Sequence, residues 1–297
     1  MAFTVIPLHN LDLPITSHIQ FGDGFVLQET PDWVKNDNFI LSQLSMNERE
    51  SLKYAKLALV SEYQASAIGE KDPAFSGSSR TIQQSKSETA IIANLAFWLV
   101  QPSPLCFTVA FHALTWPQPV PQQTEVRTPN FCHPDDLENR LSLSQVIEAG
   151  RLHGTLMSIA RDNALFSGVR HVCAALAMYQ PDLRYSLFWI ALEALFGSEN
   201  PNEIAYKLSQ RIAFIVSKGP DEAKQQFKKA KNCYGVRSTI VHGRWQYSPK
   251  MNQFLGDTEQ IVRDVFLRLL RDPDLPSTFA SKDRDKFLEE MVFARYT

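Results

Sequence analysis

The 297-residue sequence predicts an α+β protein, with a smaller mixed α/β domain over residues 1–135 and an all-helical bundle over residues 140–297. Three observations carry this expectation. Before residue 135 the apolar pieces are short, β-branched or aromatic, and broken by Pro, Gly and Asp. After residue 140 apolar residues recur every three or four positions, and the breaks are short. Between the two, prolines at 117, 119, 121, 129 and 134 mark a connection where regular structure is not expected and a domain boundary is placed.

In chain order, Phe3–Ile6 and Phe25–Gln28 lean towards strand. Ser45 and Glu48 have capping-box spacing, and Leu52, Ala55, Leu59 and Tyr63 recur behind them at helical intervals, so a helix is expected there. A Ser- and Gly-rich loop follows from Gly69 to Gln84. A second capping box, Ser85 with Glu88, is expected to open a helix over 86–100, and the alternating segment CFTVAFHALTW at 106–116 reads as a strand. Beyond the prolines, helices are expected near 142–162, 164–180, 182–197, 201–218, 221–245, 255–271 and 282–293. Leu187, Ile190 and Ala194 make one apolar stripe, and Ile261, Val265 and Leu269 another. Short breaks between amphipathic helices favour antiparallel neighbours in an up-and-down bundle.

Composition narrows the function classes. At 44% hydrophobic and 21% charged the chain can build real cores. A formal charge of -2 gives no global attraction to nucleic acid or membrane, so a nucleic-acid site must be a local patch. Cys106, Cys132, Cys173 and Cys233 lie far apart, a pattern of reduced thiols in a cytosolic protein and not of a disulfide framework or a zinc site. The start MAFTVIPLHNLDLP lacks the pattern of a signal peptide, and AIIANLAFWLV at 90–100 is too short to span a bilayer. A soluble, cytoplasmic protein with no membrane partner is therefore expected. His9, His18, His112, His153 and His171 form no cluster with ligand spacing, and there is no nucleophile elbow, paired-acid arrangement or Gly-rich phosphate loop. Neither a metal nor a cofactor is expected.

The candidate site lies in DEAKQQFKKAKNCYGVRSTIVHGRW at 221–245. Lys224, Lys228, Lys229, Lys231, Arg237 and Arg244 make it the most basic stretch of the chain, and it carries Arg237-Ser-Thr-Ile-Val-His242 before Gly243. A bare Arg-x4–6-His pattern is weak evidence. A second one, Arg127 to His133, contains Pro129 and is set aside because it cannot sit on a helix.

The phrase Tyr234-Gly-Val-Arg-Ser-Thr-Ile-Val-His-Gly243 resembles the last core helix of the HEPN superfamily, in its Apea-like branch. Ile190-Ala-Leu-Glu-Ala-Leu-Phe-Gly197 is similar to the phrase that closes an earlier helix there, and Lys207-Leu-Ser-Gln-Arg-Ile-Ala213 follows at the expected place. The resemblance covers roughly residues 140–270 and none of 1–130. It implies a HEPN-like bundle and metal-independent cleavage of RNA by Arg237 and His242, in a homodimer whose two motifs face each other across one cleft. It also implies a role in phage defence or as a toxin, with room for a neutralising or activating protein partner. Catalytic members often carry Asn, Asp or His directly after the Arg, where this chain has Ser238. That departure bears on activity more than on fold.

The chemistry fits the residue types. Cleaving RNA without a metal requires deprotonating the 2′-hydroxyl, stabilising charge on phosphorus and protonating the departing 5′-oxygen. An imidazole titrating near neutrality can take the first proton or supply the last. A guanidinium can grip two phosphate oxygens through its planar fork. On one helix, however, Arg237 and His242 are separated by about 140° and roughly 7.5 Å of rise. They do not share a face, which favours completion of the site by a second protomer, whereas Ser238 and His242 at i and i+4 do share one.

Plainer roles stand beside these. His242 can be a hydrogen-bonded histidine at a helix end, and Arg237 a clamp on a carboxylate. Glu193 lies either on a solvent stripe or as a partly buried partner for an Arg. Arg211 reads as structural. Lys224, Lys228, Lys231 and Arg244 form a solvated face by default and an RNA path in the functional alternative. The two functional expectations are an endoribonuclease and a non-catalytic module that binds RNA, a nucleotide or a protein partner.

Overall fold

The computed structural model describes residues 2–14, 18–22, 24–63, 81–107, 109–116, 118–126, 132, 134–161, 163–197, 204–243 and 250–294. The chain divides into two compact units, Met1–Met157 and Ser158–Thr297.

The first unit is built on one six-stranded antiparallel sheet in the order β2-β3-β4-β1-β5-β6. Its strands are β1 (Ala2–Leu8), β2 (Ile19–Phe21), β3 (Phe25–Glu29), β4 (Leu57–Tyr63), β5 (Val109–Trp116) and β6 (Gln118–Val126). Val60, Val5 and Phe111 stand side by side across the three central strands, because Val5 pairs in register with both neighbours. They pack with Val34, Ile40, Leu44 and Leu52 from three short helices, α1 (Asp32–Asn36), α2 (Asn38–Ser42) and α3 (Met46–Tyr54). Two longer helices, α4 (Thr81–Val100) and α5 (Leu143–Ser158), supply a second layer. Phe21 stacks on Phe97 of α4 at 4.9 Å, and His153 of α5 lies 5.4 Å from Phe21. Gly150 lets α5 approach Phe21, where a Cβ would lie 3.2 Å from the strand backbone.

Four local expectations are corrected here. The Ser45/Glu48 capping box forms, but its helix stops at Tyr54. Leu59 and Tyr63 belong instead to β4, since LALVSEY is paired between β3 and β1 and that pairing overrides the helical spacing. Ser85 does not open a helix: α4 starts at Thr81, so residues 81–84 of the expected loop are helical. The prolines at 119 and 121 lie within regular structure, on β6. That strand is at the sheet edge and a register irregularity falls between His112 and Ala113 opposite it, an arrangement in which a missing N–H costs least. Helix α5, read from sequence with the bundle, packs within the first unit.

The regular elements described in the second unit are all helices: α6 (Ala164–Leu176), α7 (Pro181–Phe196), α8 (Ile204–Val216), α9 (Pro220–Val241), α10 (Lys250–Arg271), α11 (Leu275–Ala280) and α12 (Arg284–Ala294). All described strands precede residue 127. Helix α6 packs on α7, α8 on α9, and α10 against α7, α8 and α9. The Ile261, Val265 and Leu269 stripe of α10 is buried as expected. On α7 the expected stripe is displaced. Leu187, Ile190 and Ala194 are only half-buried, and the buried face carries Tyr185, Phe188, Trp189 and Leu192. This helix is apolar on nearly every side, so spacing alone does not select the inward face. Each large apolar side chain buried there contributes about 1.5–3 kcal/mol. Arg184 and Glu259, both buried, form an ion pair of 2.9 Å that ties α7 to α10.

Candidate functional site

Helices α7 and α9 present matching rows to each other. On α7, Tyr185, Trp189 and Glu193 recur at four-residue intervals and so share a face. The Tyr185 hydroxyl donates to the Cys233 carbonyl at 2.6 Å. Trp189 meets Tyr234 edge to face at 5.3 Å, with an interplanar angle of 80°. The next residue in the row, Glu193, then meets Arg237.

Glu193 accepts from two donors on one helix, one at each oxygen. The Tyr234 hydroxyl donates to Oε1 at 2.9 Å, and Arg237 Nη2 donates to Oε2 at 3.0 Å. The Arg237 guanidinium carbon also sits 5.8 Å from the centre of the Tyr234 ring. Of the two alternatives for Glu193, the structure takes the partly buried partner of an Arg. Burial, with the Glu193 carboxylate beside it, pushes the Tyr234 phenol up to about 12. A neutral hydroxyl held on a carboxylate fixes one oxygen of Glu193 and aims the other at Arg237.

Backbone geometry holds Glu193 in place from its other side. The Gly197 N–H bonds the Glu193 carbonyl at 2.7 Å, ending α7. A Cβ at Gly197 would collide with that carbonyl oxygen, which accounts for glycine here. Arg211 is buried, and its Nη1 donates to the Phe196 carbonyl at 2.6 Å. It thus caps the C-terminal end of α7, the structural role expected of it.

His242 lies beyond the last residue of α9 and is not inside the helix as expected. Its N–H bonds the Ser238 carbonyl at 3.2 Å, and the Gly243 N–H bonds the Ile240 carbonyl at 2.9 Å. Gly243 takes φ of 65°, the left-handed conformation that stops a helix and that glycine adopts without penalty. The His242 side chain is exposed. The link from Ser238 to His242 runs through backbone only, and the Ser238 hydroxyl makes no hydrogen bond to the imidazole. Arg237 and His242 are likewise not joined: one is held against α7, the other stands at the helix end.

Lys224, Lys228 and Lys231 are exposed on α9. Lys224 pairs loosely with Asp221 at 3.3 Å, and Lys231 lies 5.9 Å from the ring of Phe227. Lys229 is turned towards α10, where it meets Asp257 at 2.9 Å. Arg244 lies outside the described residues, as do Arg127 and His133 of the second Arg-to-His match. Among the described residues no group of three His, Cys, Asp or Glu could hold a metal ion, and none of the four cysteines is in a disulfide. No described helix is long and apolar enough to cross a membrane.

Two features were not read from the sequence, one at this site and one apart from it. Trp189 supports Tyr234, and its signal was the four-residue spacing of large residues that ends on Glu193. A cavity of about 620 Å³ between α8 and α9 was also missed. Its signal was the spacing of Tyr206, Gln210 and Phe214 on α8 opposite Ala223 and Phe227 on α9. No family model, curated protein or solved structure matches the chain.

Proposed function

We propose that this chain is a metal-independent endoribonuclease in which Arg237 binds the scissile phosphate and His242 transfers the proton. The observation that carries the reading is the way Arg237 is held. Glu193 takes only Nη2, and Nη1 makes no hydrogen bond among the described residues. A guanidinium fixed at one corner keeps donors available for phosphate and loses little freedom when phosphate arrives. Glu193 and Tyr234 are positioning residues in this scheme, since they act through Arg237. The exposed imidazole of His242 accepts the 2′-hydroxyl proton, or as imidazolium protonates the leaving 5′-oxygen. One imidazole does not serve both ends of the reaction at once. A homodimer, with a second His242 across the cleft, supplies the other transfer and overcomes the divergence of the two residues on one helix. Lys224, Lys228, Lys231 and Arg244 would guide the strand through its phosphates.

A second reading is favoured by the same ion pair. Glu193 already neutralises Arg237, as a structural clamp would, and a non-catalytic module binding RNA, a nucleotide or a protein partner needs nothing more of it. Incubating the purified chain with single-stranded RNA and the matching DNA separates the two. The ribonuclease reading expects RNA products ending in 2′,3′-cyclic phosphate, with DNA left intact because it lacks the attacking hydroxyl. RNA that is bound but uncut gives the lead to the second reading.

A further inference from the structure

The cavity between α8 and α9 lies away from the Arg-His motif: Lys228, on its wall, precedes Arg237 by nine residues, roughly 13.5 Å along the helix. Its volume, about 620 Å³, falls within the usual range for small-molecule sites. Three aromatic rings line it, from Tyr206, Phe214 and Phe227, together with three lysines, Lys218, Lys224 and Lys228. None of the lining residues is Asp or Glu. Tyr206 and Phe227 meet edge to face at 5.2 Å, so each holds the other's ring in a fixed plane.

The charges are available as well. Lys218 and Lys228 make no ion pair among the described residues. Among the described residues Lys224 is engaged only by Asp221 at 3.3 Å, with both side chains largely exposed, an interaction that water and salt weaken. A pocket with apolar, aromatic walls and cationic corners selects a ligand with a flat ring at one end and a negative charge at the other. Neither half suffices. The lysines alone hold a bare anion through charge that water and salt screen, and the rings alone hold a neutral base by stacking, so only a ligand that carries both uses the whole site.

From this arrangement we infer that the cavity binds a nucleoside monophosphate unit, its base against Phe227 and Tyr206 and its phosphate on Lys218 and Lys228. The unit can be a free nucleotide or the 5′-phosphorylated end of a single strand, since both present the same chemistry. The site does not depend on RNA cleavage: a chain that binds AMP and cuts no RNA supports this inference and overturns only the ribonuclease reading.

Equilibrium dialysis of the full chain against labelled AMP tests it. AMP should bind one site, and Lys218→Glu/Lys228→Glu should weaken it at least tenfold while circular dichroism stays unchanged, both lysines being exposed. Phe227→Ala should weaken it similarly. Should that variant fold poorly, Phe227→Leu, which keeps the apolar volume without the ring face, takes its place. Adenosine and inorganic phosphate should each displace AMP at least tenfold less well than unlabelled AMP. Arg237→Ala/His242→Ala should bind AMP as wild type does. Displacement by a short 5′-phosphorylated single strand identifies a strand end as a ligand, and its failure identifies the free nucleotide. No binding at millimolar AMP, equal binding by the double lysine variant, or phosphate displacing AMP as well as AMP itself would overturn the inference.

Discussion

Glu193 on α7 and Arg237 on α9 are joined by a 3.0 Å bond between Oε2 and Nη2, and their side chains are 21% and 22% exposed. Such a pair is neither fully screened by solvent nor deeply desolvated, so it lies between the surface and buried extremes. Tyr234 completes it by occupying the other carboxylate oxygen. This pair is the fixed point from which the guanidinium is presented.

The pair should be measurable as a coupling. In a double-mutant cycle of Glu193→Gln and Arg237→Ala, urea unfolding should give an interaction energy of about 1–2 kcal/mol, within the range for contacting charged partners. Strictly additive effects would show that the bond contributes nothing to holding α7 and α9.

Two glycines set the ends of the site helices. Gly197→Ala should destabilise the fold by about 1–3 kcal/mol, because the clash is with the backbone carbonyl of Glu193 and has no flexible group to yield. Gly243→Ala should cost about 1–2 kcal/mol from its left-handed φ alone, since open space surrounds its Cβ position. Chemical denaturation checks both, and a neutral Gly197→Ala would contradict the packing described at the end of α7.

The phenol of Tyr234 predicts a pH dependence. Its pKa rises from 10.0 to about 12, first through burial and then through the Glu193 carboxylate. Below pH 10 the phenol is neutral in folded and unfolded chains, so its contribution is fully present. Between pH 10 and about 12 the unfolded chain ionises first, and stability falls as pH rises through that window. Tyr185 is raised in the same direction by burial, so Tyr234→Phe should flatten the fall in the urea midpoint without abolishing it. An unchanged slope in Tyr234→Phe would contradict the assignment.

Exhaustive chelation should leave both the melting temperature and RNA cleavage unchanged, because the proposed chemistry uses only a guanidinium and an imidazole. Activity lost on chelation and restored by a divalent ion would require a different mechanism.

Much of the helical unit was legible in sequence because its signals are local. Spacing located α6 to α10, and Gly197 ends α7 where the sequence places the stop, whereas α9 ends at Val241, short of the expected 245. What was illegible depended on distant partners. β4 shows helical intervals and becomes a strand only because β1 and β3 flank it. Pro119 and Pro121 read as breakers and are tolerated only because β6 is an edge. At the site, Arg237 and His242 were visible as residue types, but the partners of Glu193 were not. Its bonds to Tyr234 and Arg237 span 41 and 44 residues, beyond any local pattern.

The most direct test of the central claim is the single-turnover rate of RNA cleavage by His242→Ala relative to wild type, with both shown to be folded. General acid–base catalysis is typically worth 10²–10⁴-fold, so the account predicts a loss of at least about a hundredfold. Arg237→Lys should fall comparably, since a point charge does not replace the fork held on Glu193. Cleavage by wild type with an equal rate in His242→Ala would contradict the assignment of His242 as the proton-transfer residue.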